Sequence, residues 1–150
     1  MNRRETITLL GGAAAWPLAA HAQQGDRVRR IGVFMPGVES DLMASPSFSA
    51  FTRALAGLGW TGRNLRMDFR WGGDDTNRMR APARELVGLQ PDIIVTLGGP
   101  ATVAVQRETR TIPIVFASAS DPVANGIVPR LDRPGGNVTG FASLEATLTG

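Results

Sequence analysis

Between Pro91 and Pro122 the chain carries two short apolar runs, Ile93-Ile94-Val95 and Ile112-Pro113-Ile114-Val115-Phe116. Each ends abruptly, the first in Gly98-Gly99-Pro100 and the second in Ser118-Ala119-Ser120-Asp121. Runs rich in β-branched residues, with no polar residue at alternate positions, suit strands covered on both faces. The segment between them is long enough for a crossover helix, so parallel neighbours are predicted rather than a hairpin. In open α/β sheets, ligands lie just beyond the carboxyl ends of such strands. The two small-residue segments are therefore the first candidates for a binding rim.

The remaining segments extend the same pattern. Arg30–Met35 reads as a first strand ending at Pro36-Gly37, and 36–44 as a loop carrying Glu39, Ser40 and Asp41. Ser45-Pro46 has the form of an N-cap followed by proline in the first turn. Phe48, Phe51, Leu55 and Leu58 then fall on one helical face, with Gly59 as terminator. Asn64–Trp71 alternates Leu65, Met67, Phe69 and Trp71 with charged residues, which predicts a strand at or near the sheet edge. Met79, Ala83, Leu86 and Val87 predict a helix that kinks or starts at Pro82. Strands at Asp92–Thr96 and Ile112–Ala117 flank a helix from Pro100 to about Arg107. A short irregular helical piece at Val123–Leu131 and a fifth strand at Asn137–Phe141 complete the series. The predicted fold class is α/β: three α/β/α layers around a mainly parallel five-stranded sheet, flavodoxin-like in outline.

Composition narrows the chemistry. A chain of 150 residues, 43% apolar and 19% charged, can build one domain with a real core. All sixteen basic residues are Arg, which lifts the pI to about 11.2 although the net charge is only +3. The Arg residues are scattered, so a nucleic-acid face is not expected. There is no cysteine, hence no disulfide, thiolate nucleophile or Cys-based metal site.

The first residues read as an address. A basic start at Arg3-Arg4, an apolar stretch from Ile7 to Ala20 and the small-x-small site Ala20-His21-Ala22 form a signal peptide over residues 1–22, cleaved after Ala22. The apolar stretch is too short to span a bilayer of about 30 Å. The arginine pair suggests twin-arginine export, although Thr6 stands where a large apolar residue would strengthen the signal. His21, the one histidine, lies in the removed segment, so the mature chain has no His-based catalysis or metal binding.

Two readings attach to each candidate residue. Gly98, Gly99 and Pro100 form either a plain tight turn or a backbone cradle for a ligand; neither a GxGxxG nor a P-loop pattern is present. Ser118, Ser120 and Asp121 offer two hydroxyls and a carboxylate, where Asp121 serves either as a cap for the following helix or as a partner for a ligand amine. Glu39 and Ser40 are further candidates, read against a solvated loop. Trp60 and Trp71 are read as packing residues.

Several motifs in fixed order carry a resemblance. They are Ile31-Gly32-Val33-Phe34-Met35-Pro36, Thr109-Arg110-Thr111-Ile112-Pro113-Ile114-Val115-Phe116, Ser120-Asp121-Pro122-Val123 and Arg133-Pro134-Gly135-Gly136-Asn137-Val138-Thr139-Gly140-Phe141. Behind the export leader, this set resembles the ABC-transporter substrate-binding protein family, whose characterised members include receptors for tryptophan and other aromatic amino acids. The resemblance implies a periplasmic binding protein of type I fold: two similar lobes, a hinge, roughly double this length. Residues 23–150 would then be the N-terminal lobe of a fragment lacking its second lobe. It further implies capture of a small polar ligand in the periplasm for delivery to an inner-membrane ABC permease, without cofactor or metal. The family usually has Gly-Thr-Pro-Ala where this chain has Gly98-Gly99-Pro100-Ala101, so one hydroxyl contact is missing. An exported flavodoxin-like enzyme or cofactor carrier is the alternative, but it would need a phosphate loop or catalytic base. A ligand-sensing repressor would need an N-terminal helix-turn-helix where the leader stands.

Overall fold

The computed structural model describes residues 27–143, so the leader and its cleavage site lie outside the described residues. Five strands form one sheet: β1 (Arg29–Met35), β2 (Leu65–Trp71), β3 (Ile93–Leu97), β4 (Ile114–Ala119) and β5 (Val138–Ala142). Their order is β2-β1-β3-β4-β5 and every pairing is parallel. The two apolar runs are neighbours, with Val95 opposite Val115, and the alternating strand lies at the edge. Four helices accompany the sheet: α1 (Glu39–Met43), α2 (Pro46–Gly57), α3 (Arg80–Gly88) and α4 (Gly99–Glu108).

Two expectations need correction. The loop predicted after β1 contains the short helix α1. The helical piece predicted at Val123–Leu131 is instead a run of turns, in which Ile127 and Val128 are buried. Pro82 is the third residue of α3 and so begins that helix rather than kinking it, because first-turn N–H groups have no intrahelical partner.

Side-chain alternation gives the sheet two unequal faces. One is covered by α3 and α4, and here Phe34, Ile94, Ile114, Phe116, Leu86 and Val105 are fully buried or within 1% of it. Gly32 lets α3 approach β1 closely, since a Cβ there would lie 3.1 Å from Leu86 side-chain carbons. The other face carries α2 over β1 and β2, where Phe48 meets Phe69 edge-on at 5.6 Å between ring centroids. No residue of α2 is buried. Toward β5 this face is open, and Phe141 is 75% exposed.

The amino ends of the strands are tied by charge. Asp92 precedes β3 and accepts the Arg30 backbone N–H at 2.8 Å, the Arg27 guanidinium at 2.9 Å and that of Arg29 at 3.4 Å. Asp68 of β2 pairs with Arg30 and Arg66. The Arg30 N–H bond, more than the two guanidinium charges, holds the Asp92 carboxyl below the usual carboxylate range, against the opposing effect of burial. A carboxyl whose folded value is depressed stabilises the fold above its unfolded value of about 3.9 and loses that contribution as pH falls through the folded value. The urea midpoint is therefore expected to fall below about pH 4. Asp92→Asn should lower the midpoint at neutral pH and flatten this acid limb, which parallel denaturation series at pH 7, 4 and 3 would show.

Candidate functional site

The strand order creates a crevice. From β1 the chain crosses to β2 on one side, whereas from β3 it crosses to β4 on the other, so the connections diverge at the carboxyl ends of β1 and β3. A cavity of about 150 Å³ lies there, between the sheet and α2. Val33 and Met35 of β1, Val95 and Leu97 of β3, and Phe48 and Phe51 of α2 form its apolar walls. Ser45, Ser47, Thr96 and Ala117 complete the lining. None of these residues is ionisable. The groove is suited to an apolar group, with hydroxyls available beside it.

Sequence reasoning did not find the α2 contribution. Phe48 and Phe51 have the spacing of a core-facing stripe, which is also the spacing of a groove wall. Ser45 occupies the N-cap position with extended backbone, yet makes no side-chain cap bond, so its hydroxyl is not consumed by the helix. Only that missing bond distinguishes it from an ordinary cap, and a sequence cannot show it.

The predicted rim residues fall in three places. Glu39 and Ser40 stand exposed in the first turn of α1, where the Ser40 hydroxyl reaches Asp41 at 3.4 Å, and neither lines the groove. Gly99 and Pro100 open α4 and line a second cavity of about 340 Å³, between α3 and α4, together with Arg80, Arg107 and Asn125. Gly98 joins β3 to α4 with φ +81°, a conformation that only glycine adopts freely. Its N–H donates to the Ala117 carbonyl at 2.9 Å, holding the ends of β3 and β4 side by side.

A buried hydroxyl chain fixes this turn. Thr96 and Thr102 are both fully buried, with their Oγ1 atoms 2.8 Å apart, and Thr102 Oγ1 donates to the Gly98 carbonyl at 2.7 Å. The carbonyl can only accept, so it takes the single Thr102 proton. Thr96 must therefore donate to Thr102. The Gly98 carbonyl is thereby held inward, toward the helix, by both the hydroxyl and the backbone N–H of Thr102.

From the end of β4 onward the chain takes a strained path. Ser118 and Asp121 have φ of +54° and +39°, in the region disfavoured for residues with a Cβ. The Asp121 carboxylate accepts the Ala124 N–H at 3.0 Å, so it caps a turn and not the helix expected there. Ser120 is exposed, and its carbonyl accepts from the Asn125 side chain at 2.8 Å. Ser118 is exposed directly beside Ala117 of the groove. Among the described residues no group of three or more His, Cys, Asp or Glu is placed to hold a metal ion.

Comparisons with known proteins agree with this fold. A model of the family described as ABC transporter substrate binding protein matches residues 31–148. A tyrosine-binding protein of Clostridioides difficile strain R20291 is 32% identical over 117 residues, covering 73% of this chain and 34% of that protein. The solved structure of an ABC domain in complex with L-Trp from Streptococcus pneumonia superposes with a TM-score of 0.69 at 26% identity, covering 77% of this chain and 38% of that one. A ligand-free, open substrate-binding protein with adhesive properties from Clostridium difficile gives 0.71 at 30%, covering 80% and 40%. The chain thus spans between a third and two fifths of the length of these relatives. The expected α/β architecture of a periplasmic-binding-protein lobe is the one observed.

Replacing Thr102 with Val would leave the Thr96 hydroxyl without its acceptor and the Gly98 carbonyl with one donor fewer. The expected cost is about 1–3 kcal/mol of stability, read as a lower urea midpoint at unchanged slope. Thr102→Ser should keep most of it.

Proposed function

The chain belongs to the ABC transporter substrate-binding protein family, and on that premise we propose that it captures a small amino acid for an import system. The observation that carries this reading is the neutral, apolar groove at the β1/β3 switch point, flanked by the hydroxyls of Ser45 and Ser47. An apolar side chain fits such a groove, while the zwitterionic head would remain near the polar strand ends. Relatives named for tyrosine binding and solved with L-Trp favour an aromatic amino acid. Of the predicted rim, Gly98 and Ser118 directly follow the groove-lining Leu97 and Ala117, and with Ser120 they are assigned here to ligand contact. Glu39, Ser40, Gly99, Pro100 and Asp121 are assigned to the wider rim of the cleft.

The role is capture rather than catalysis. In the proposed cycle, residues 1–22 direct export by a twin-arginine-type signal, cleavage follows Ala22, and residues 23–150 act in the periplasm as the N-terminal ligand-binding lobe. In the proposal a second lobe closes on the ligand by hinge motion, and the closed pair docks on an inner-membrane ABC permease. Among the described residues no helix is long and apolar enough to cross a membrane.

A complete ligand pocket encloses most of its ligand, whereas this lobe supplies one wall. Binding by the 150-residue chain is therefore expected in the millimolar range, about −4 kcal/mol. Titration of the ¹⁵N-labelled chain with L-tryptophan should give saturable shifts at Val95, Leu97 and Ala117 amides, with none from glucose. Absence of saturable shifts would overturn the proposed function. Micromolar affinity by calorimetry with tryptophan, phenylalanine or tyrosine would overturn the one-wall account.

A further inference from the structure

We propose that the outer edge of β5 pairs with the β5 edge of a second copy of this chain, in antiparallel register about Gly140. Among the described residues β5 has a strand on one side only, where it pairs with β4. On that side the Ile114 N–H donates to the Asn137 carbonyl, and the Ser143 N–H donates to the Ala119 carbonyl. The backbone groups of successive strand residues point alternately to the two neighbouring strands. Thr139 and Phe141 therefore also turn theirs toward β4, while Val138, Gly140 and Ala142 turn N–H and C=O outward.

The two edges of the sheet are built differently. At the other edge, β2 carries Arg66, Asp68 and Arg70, and charges on an edge strand oppose pairing with another chain. The β5 segment, Val-Thr-Gly-Phe-Ala, has neither charge nor proline. Thr139 and Phe141, its side chains on the open face, are exposed, Phe141 by 75%. Val115 and Ala117 of β4 stand beside them, so the strip behind this edge is uncharged as well. An unprotected edge is a template for a further strand, and an uncharged strip meets its own copy without like-charge repulsion.

The register of β5 closes on itself. In an antiparallel pair centred on Gly140, the two Gly140 residues face each other and Val138 faces Ala142 of the second copy. All three outward-facing residues are then matched at once, each pair exchanging two hydrogen bonds. Thr139 falls opposite Phe141 in the closer, non-hydrogen-bonded pairs, and an aromatic beside a β-branched side chain is a favourable cross-strand combination. Gly140 is fixed by the fold itself, because a Cβ there would run into the Phe116 backbone. Neither copy therefore brings a side chain to the two-fold axis, and the contact is isologous. Five strand residues from each copy make an interface smaller than that of a permanent dimer, so the pair separates on dilution.

Sedimentation equilibrium of the 150-residue chain at rising concentration should show a monomer–dimer equilibrium. Hydrogen exchange at the Val138, Gly140 and Ala142 amides should slow as the dimer forms, while the Thr139 and Phe141 amides stay protected throughout. Thr139→Lys and Phe141→Lys each place a cation on the edge of both copies, and each should raise the dissociation constant at least about tenfold. Both positions are exposed, and an unchanged urea midpoint at low concentration checks that each variant folds. Leu58→Lys, at a residue 77% exposed beyond the end of α2, should leave the association unchanged. A chain that stays monomeric at every concentration would overturn the proposal. So would association that survives both β5 variants or is lost in Leu58→Lys. Slow exchange at Val138, Gly140 and Ala142 in a monomer would also overturn it, since another part of the same chain then covers the edge.

Discussion

The structure depends on the parallel pairing of β1 with β3. Ile31 through Phe34 lie opposite Ile93 through Thr96 at the centre of the sheet, and every other strand is added outward from that pair. Its amino end is clamped by Asp92, which receives the Arg30 N–H while its own backbone N–H donates to the Arg30 carbonyl at 2.8 Å. Its carboxyl end opens into the crevice, because the two crossovers leave in opposite directions. The two ends of this strand pair thereby differ: charge and hydrogen bonds at one, a neutral groove at the other.

Much of this was legible in the residues themselves. Ile93-Ile94-Val95 and Ile114-Val115-Phe116 announce interior strands because nothing polar interrupts them, and Arg66, Asp68 and Arg70 announce an edge. The diverging connections then follow from strand order, which periodicity does not specify. What was illegible is also physical. Val123–Leu131 has helix-like apolar spacing, but Asn125-Gly126 and Pro129 favour turns, and burial of Ile127 and Val128 is achieved without a helix. The helix α1 is only five residues long and polar at its start, too short for any period to show. The candidate rim was found as a set of strand ends, but the groove itself needed α2, whose Phe48 and Phe51 carry no mark distinguishing a wall from a core.

The two faces of the sheet embody different physical demands. Against α3 and α4 lie the most deeply buried side chains, and the hydroxyls of Thr96 and Thr102 buried there bond each other. Such closure gives rigidity, because removal of any member strands another. Thr102 bonds the Gly98 carbonyl, so the turn at the end of β3 is held by this buried pair.

The face against α2 is arranged otherwise. Here the helix buries no residue, Phe69 and Trp71 stack at 5.9 Å, and Trp71 Nε1 is buried without a hydrogen-bond partner. A buried unpaired donor costs about 1–3 kcal/mol, and incomplete burial of α2 forgoes further hydrophobic stabilisation. Both deficits sit on the side where the groove opens. Regions with few buried contacts are where proteins open most readily. The groove face therefore combines low local stability with exposed apolar surface, the two properties that let a wall adjust to a ligand. The opposite face supplies the rigidity that keeps that wall in register.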